Sequence, residues 1–542
     1  MQWQIYTNGR IYTADAQRSW AEALATCGNR FIAAGTPEAV RHAVPASTPE
    51  FDLGGRTVVP GLIDAHNHFL QTAESLTWAD VRFPNVASIA GLVAAIAAAA
   101  TGTPEGAWIY AFGLDPAKLT DGRTPTRWDL DEATSRHPVL VHHVSGHHAL
   151  VNSTALRRSA GEDVTDPPGG QFPRDEAGRP NGWCLDAATG VILPVAVDVG
   201  NHGPNIHFEA STDRLANALE AGSQAYLAAG LTTVCDAQVT RREFSGYREG
   251  LRRGTLGIRV VCMPLSHQLD ALLDTGITGP LWDGKLGIGP LKLYADGALT
   301  GGTACFTRPY GESGEFPGIL YHEPAELTSL VARAQNHGWQ VGVHAQGDRA
   351  ITMTLDAIEA GSGGQAGGRH RIEHAGYPAG ELDRIARLGV VLVNQPGYLH
   401  DFGDAFLKTL AERAHWLQPL RDELRAGISV VLSSDSFVTT YNPMHHIAAA
   451  VNRTTRTGQP IGSDQALTVE EAIRAYTIDA ARSFFADDSI GSIEQGKLAD
   501  FVVLDEDPFT MPSERLGQTK PRMTVLGGQI AYQGSGGQAS IT

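Results

Sequence analysis

Between residues 58 and 433, short apolar runs rich in β-branched side chains alternate with stretches of helical periodicity. Eight such runs stand out, at residues 58–64, 231–236, 258–263, 290–294, 340–343, 370–373, 390–394 and 429–433. A strand that returns parallel to its predecessor needs a crossover of a dozen or more residues, usually a helix. The alternation therefore predicts parallel βαβ units, and eight of them predict an α/β fold of the (β/α)8 TIM-barrel type. The gap between the first two runs is too long for one helix. Residues from about 72 to 210 read as a large insertion after barrel strand 1, over the barrel mouth, with Gly/Pro turns such as Gly178-Arg179-Pro180-Asn181-Gly182.

Both chain ends read differently. Residues 1–56 are short strands with turns at Asn8-Gly9 and Gly54-Gly55, and residues 523–532 read as a hairpin around Gly527-Gly528. The expectation is a small β-sandwich domain built from 1–56 plus 488–542, flanking a barrel over 57–487. The formal net charge is −17, with no Lys/Arg-rich run, which argues against nucleic acid or an anionic membrane as partner. The five cysteines are scattered without a CxxC, as expected of a reducing, cytoplasmic setting. No signal peptide is read at the N-terminus. The longest apolar stretch, residues 86–100, is too short to span a bilayer, and Ile89, Leu92, Val93 and Ile96 mark it as an amphipathic helix.

The strand ends carry chemistry. The first run closes on His66-Asn67-His68. Residues i and i+2 of a strand point the same way, so both imidazoles can reach one metal ion. Lys292 stands in the fourth run, His344 follows the fifth, His374 follows the sixth and Asp435 follows the eighth. Each has a plainer reading. The histidines could be satisfied core or loop residues, Lys292 a snorkelling lysine, and Asp435 a helix N-cap in Ser434-Asp435-Ser436. In a barrel, however, the carboxyl ends of the strands form the active-site face. Six ligand-type residues at those ends point to a metal site.

These segments resemble the amidohydrolase superfamily, and within it the amidohydrolase family 3 branch of N-substituted formamide deformylase-like metal-dependent hydrolases. The resemblance rests on Pro60-Gly61-Leu62-Ile63-Asp64-Ala65-His66-Asn67-His68, Lys292-Leu293-Tyr294-Ala295-Asp296-Gly297-Ala298, His344-Ala345-Gln346-Gly347-Asp348-Arg349-Ala350, Arg371-Ile372-Glu373-His374-Ala375, Asn394-Gln395-Pro396 and Gly491-Ser492-Ile493-Glu494-Gln495-Gly496-Lys497-Leu498-Ala499-Asp500. It implies a binuclear zinc centre. His66, His68 and Asp435 would hold one Zn2+, His344 and His374 the other, and a carbon dioxide-derived carbamate on Lys292 would bridge them. A metal-bridging hydroxide would attack the substrate, with Asp435 as proton shuttle. Gly302 departs from the pattern, standing where relatives often carry an arginine.

Secondary candidates are His147, in Gly146-His147, as a polariser of the substrate carbonyl, and Trp183 and Gln395 as substrate contacts. Phe172 and Tyr398 are candidate pocket aromatics. For His147 a structural role in a His-rich turn stays open. The expected activity is hydrolysis of a non-peptide C–N bond, as in an N-substituted formamide or another N-acyl compound. An ester or lactone hydrolase, a deaminase, and a catalytically inactive binding or regulatory protein are the alternatives. The expected partner is a small-molecule substrate, and a homodimer is an allowed assembly.

Overall fold

The computed structural model describes residues 2–144, 148–167, 170–186, 188–193, 196–204, 206–311 and 317–534. The chain divides into two compact units, one of Met1–Phe69, Ser223–Val239 and Leu256–Thr542, the other of Leu70–Gly222 and Thr240–Thr255.

In the first unit, two parallel sheets hold the chemistry-bearing strands. One contains β1 (Leu62–Asn67), β2 (Leu231–Val239), β3 (Arg259–Pro264) and β4 (Leu286–Ile288), paired in that order. The other contains β5 (Leu291–Tyr294), β6 (Val341–Ala345), β7 (Arg371–His374), β8 (Val391–Asn394) and β9 (Val430–Leu432), also paired in order. Their burial is nearly continuous, as expected of parallel strands covered on both faces.

The strand list departs from the sequence expectation in two places. The run 58–64 is two strands. Thr57–Pro60 pairs antiparallel with Phe501–Leu504, and only after Gly61 does β1 begin. A Cβ at Gly61 would lie 2.3 Å from Thr232 Oγ1 and 3.0 Å from Asp500 Cβ, so glycine is what lets the chain pass between the sheets there. The run 290–294 starts as a strand only at Leu291, and β4, which none of the eight runs covers, precedes it. Gly289 N–H donates to Cys262 on β3, Leu291 N–H donates to Gln340 beside β6, and Pro290 between them has no N–H to give. The proline thus sits where pairing changes from one sheet to the other.

Two further sheets are built from the chain ends, the first from the N-terminal end alone and the second from both. One has the order Arg30–Gly35, Ala23–Cys27, Trp3–Thr7, Glu50–Asp52; the other runs Gln529–Gln533, Pro521–Leu526, Phe501–Leu504, Thr57–Pro60, Arg10–Tyr12, Trp20–Ala21. Tyr6, Leu24 and Phe31 from the first share one buried cluster with Ile11, Val58, Phe501 and Val525 from the second. The hairpin at Gly527-Gly528 has φ of 57° and 74°, a left-handed pair that glycine adopts without steric cost.

The second unit is built on a six-stranded mixed sheet ordered Gly170–Gln171, Trp183–Asp186, His148–Val151, Val139–His143, Ile109–Leu114, Ala79–Asp80. Its helix Ile89–Gly102 is capped by Ser88 and buries Ile89, Leu92 and Ile96, the stripe expected from the sequence save for half-buried Val93. Among the described residues no helix is long and apolar enough to cross a membrane.

Candidate metal centre

Strand alternation builds the site. In β1, Ile63 and Ala65 enter an apolar cluster, which leaves Asp64 and His66 on the opposite face. In β5, Leu291 and Leu293 face another apolar cluster and Lys292 turns away from it. In β7, Ile372 packs into that same cluster, while Arg371 and Glu373 face His66. Two strands end in strained backbone. His374 has φ 74° and Asp435, just beyond β9, has φ 52°. The left-handed region is costly for a histidine, and such strain persists where the surroundings over-determine it.

The side chains converge. Asp435 Oδ1 lies 3.1 Å from His68 Nε2 and 3.5 Å from His66 Nε2, and its Oδ2 is 4.0 Å from His374 Nδ1. Lys292 Nζ is 3.5 Å from His66 Nε2 and 4.6 Å from the centre of the Tyr294 ring. The His344 ring centre is 4.4 Å from that of His374 and 4.8 Å from that of Tyr294. His66, His374 and Asp435 form the one group of three or more His, Cys, Asp or Glu ligand atoms within mutual reach of an ion among the described residues. His344 stands beside it, its Nε2 directed at Gly297 O at 2.9 Å.

Each histidine has one nitrogen engaged by an acceptor. His66 Nδ1 meets Glu373 Oε2 at 2.6 Å, and His68 Nδ1 meets Ala237 O at 3.2 Å. His374 Nδ1 meets Gln395 Oε1 at 2.8 Å, and His344 Nε2 meets the Gly297 carbonyl. These acceptors require N–H on the engaged nitrogen, so that in the neutral ring the lone pair stands on Nε2 of His66, His68 and His374 and on Nδ1 of His344. Burial keeps the His66, His374 and His344 rings neutral, lowering His66 to about 4, His374 to about 3 and His344 well below its usual value. Asp435 Oδ1 is buried and receives no hydrogen bond, yet it faces two such lone pairs. Acceptors that close repel one another unless a proton or cation lies among them. The donor set therefore fits a divalent metal. Lys292, fully buried, has its pKa lowered to about 8 by burial.

Several residues around the site were not singled out by sequence. Glu373 accepts Arg371 Nε at 2.7 Å on Oε1 and Arg371 Nη2 at 2.8 Å on Oε2, and Arg371 Nη2 also donates to Ala65 O at 2.7 Å. This buried pair orients His66. Burial opposes ionisation of Glu373, but Arg371 and His66 outweigh it and hold the carboxyl well below its usual range. A usable signal was present: two charges at i and i+2 of an apolar strand share a face and must pair with something. Gly342 leaves room for this carboxylate, since a Cβ there would come within 2.6 Å of Glu373 Oε1. Asp64 accepts Asn67 Nδ2 at 2.7 Å, Ser434 N at 3.0 Å and Ser434 Oγ at 2.5 Å, tying β1 to the Asp435 loop. Asp296 accepts the backbone N–H groups of Cys305, Gln346 and Gly347 at 2.7–3.0 Å, organising the loop after His344. Asp348 accepts Thr307 N at 2.8 Å.

The secondary candidates fall as follows. His147 lies outside the described residues. Trp183 packs in the core of the second unit and donates Nε1 to Pro125 O at 2.8 Å, and Phe172 is buried in a neighbouring cluster of that unit. Gln395 is fully buried, its oxygen facing His374 and its nitrogen donating to Ser433 Oγ at 2.8 Å. The Tyr398 hydroxyl donates to Asp435 Oδ2.

Glu373→Gln is expected to destabilise the fold by about 3–5 kcal/mol, the cost of breaking a buried ion pair and leaving Arg371 uncompensated. Denaturant unfolding of the metal-free protein checks this. An unchanged midpoint would show that the pair is not holding Arg371.

The amidohydrolase family model matches residues 50–532. The N-substituted formamide deformylase of Arthrobacter pascens is 31% identical over 540 residues, covering 98% of this chain and 98% of that protein. Protein LONG AFTER FAR-RED 3 of Arabidopsis thaliana is 31% identical over 556 residues, covering 97% of this chain and 91% of that one. Among solved structures, an uncharacterized metal-dependent hydrolase from Pyrococcus horikoshii superposes with a TM-score of 0.78 at 26% identity, covering 95% of this chain and 99% of its own. Such neighbours imply a TIM-barrel-like fold, although no continuous ladder joins the two parallel sheets into a ring among the described residues. With a family model spanning residues 50–532 and relatives matched almost end to end, this chain belongs to the amidohydrolase family.

Proposed function

We propose that this protein is a metal-dependent hydrolase that cleaves a non-peptide C–N bond, as in an N-substituted formamide or another N-acyl compound. The observation that carries the reading is the buried, unbonded Asp435 Oδ1 facing the lone-pair nitrogens of His66 and His68. The names of its relatives, a formamide deformylase and a metal-dependent hydrolase, agree with it. His66, His68 and Asp435 would hold one divalent ion and His344 and His374 a second, with zinc suited to this nitrogen-rich set. Lys292 would bridge them as a carbamate. Its lowered pKa favours the neutral amine that can add carbon dioxide, and a carbamate offers two anionic oxygens where an ammonium offers none. When bound, such ions supply an acidified water and polarise a carbonyl. The two parallel sheets would be arcs of one barrel with this site at its carboxyl end.

The chain's own groups do the rest. Asp435 takes the proton of the attacking water and returns it to the leaving nitrogen, which an amine needs in order to depart. Glu373, Gln395 and the Ala237 and Gly297 carbonyls hold the four rings in the tautomers described above.

Protein produced with ample zinc should carry about two divalent ions per chain, measured by elemental analysis. The same protein is then screened against formamides, acetamides, N-acyl amino acids, esters and lactones. Turnover confined to esters and lactones would overturn the C–N assignment, and active protein without metal would overturn the metal reading.

A further inference from the structure

Asp435 is assigned two tasks, and its two oxygens have different surroundings. Oδ1 receives no hydrogen bond and faces the Nε2 atoms of His66 and His68. Oδ2 is held by the hydroxyl of Tyr398. Tyr398 sits on the short helix Gly397–Asp401, which follows β8 directly, and it is 3% exposed. Its ring lies nearly parallel to that of His374, at 8° with centres 6.3 Å apart. Behind it, Gly397 approaches His446 so closely that a Cβ would stand 2.5 Å from the His446 ring. His446 is anchored in turn by Nε2 to Thr440 O at 2.7 Å. The helix carrying Tyr398 is thus packed closely against an anchored side chain.

We infer that Tyr398 is a positioning residue for Asp435: its hydroxyl holds Oδ2, so that Oδ1 is the oxygen presented to the metal and Oδ2 the one left to carry the proton. The inference rests on the metal-hydrolase reading above. A carboxylate can rotate about its Cβ–Cγ bond, exchanging its oxygens or engaging an ion with both. A buried phenol donating to one oxygen selects one orientation, and hydrogen bonds to charged acceptors are strong enough to hold it. Asp435 needs such a hold, because its left-handed backbone places it outside the regular strand geometry. Proton transfer through Oδ2 proceeds with the phenol still donating, since a protonated carboxyl oxygen keeps acceptor capacity.

The test compares wild type, Tyr398→Phe, Asp435→Asn and the double variant, each zinc-loaded. Two quantities are read: the rate of zinc loss to a chelator, and kcat and KM on the best substrate of the screen. Tyr398→Phe should lose zinc about 10-fold faster and drop in kcat by about 10- to 100-fold, with KM within about 3-fold of wild type and a melting transition that stays cooperative and within a few degrees of wild type. In the Asp435→Asn background the same change should add little to either readout, because the two residues act as one unit. A Tyr398→Phe enzyme matching wild type in zinc retention and kcat overturns the inference while leaving the hydrolase reading intact. Equal effects in both backgrounds, or loss of the cooperative melting transition, assign the hydroxyl to the fold and also overturn it. Wild-type protein that binds no zinc overturns both readings.

Discussion

Lys292→Ala should abolish hydrolysis and weaken binding of both metal ions. The carbamate is the one group in the proposed set shared by both ions, so its removal affects each of them. Loss of an outer partner of a ligand costs about 10- to 100-fold in affinity or activity, and loss of a bridging ligand should exceed the upper end. Stability should move the other way. In the metal-free protein Lys292 is a fully buried amine that lies 3.5 Å from His66 Nε2. Burial of such a group is costly, so metal-free Lys292→Ala should be no less stable than metal-free wild type. Activity should return in part with formate or acetate, which supply two oxygens in the vacated space. Turnover, metal content and denaturant midpoint on one preparation check all three. A fully active Lys292→Ala or Lys292→Arg enzyme would show that this lysine bridges nothing.

Asp435→Asn should retain much of its metal and its fold while losing kcat by a factor of roughly 10² or more, the scale of general acid–base catalysis. Asparagine keeps the shape and one ligating oxygen and tolerates the left-handed backbone at φ 52°. It cannot accept a proton as a carboxylate does. The alternative suggested by Ser434-Asp435-Ser436, a helix N-cap, has no helix to serve. The next helix is Pro443–Asn452, and its cap is Asn442. What Asp435 does contact is His66, His68, His374 and Tyr398. Near-normal turnover with normal metal content would refute the proton-transfer role.

How far the chain could be read follows from the range of the forces involved. Strand identity is local. Alternation of apolar and polar side chains within β1, β5 and β7 follows from the two-residue period of an extended backbone, so His66 and His374 could be placed at strand ends, and Lys292 on the strand face away from its apolar neighbours, from the local sequence. Where a strand belongs is not local. Thr57–Pro60 and Leu62–Asn67 read as one run because both are apolar. They separate at Gly61 only because Thr232 and Asp500, far away in the chain, close around it. The sheet break at Pro290 was visible as a missing N–H, yet whether a neighbouring carbonyl needed that hydrogen depended on β3 and β6.

Hydrogen-bond commitments are the least local of all. Gln395 read as a substrate contact because it ends a strand, but its two polar atoms face His374 and Ser433, the latter 38 positions away. Tyr398 read as a pocket aromatic, and its hydroxyl faces Asp435. Glu373 was hidden beside His374 in sequence although its partner, His66, is 307 residues distant. The sequence alone determined which residue types stand at the strand ends, because that depends on backbone geometry over a few residues. Tertiary structure alone decided which nitrogen of each histidine is engaged and which oxygen of Asp435 stands unbonded, because a buried polar atom takes its partner from whatever the fold brings within about 3 Å.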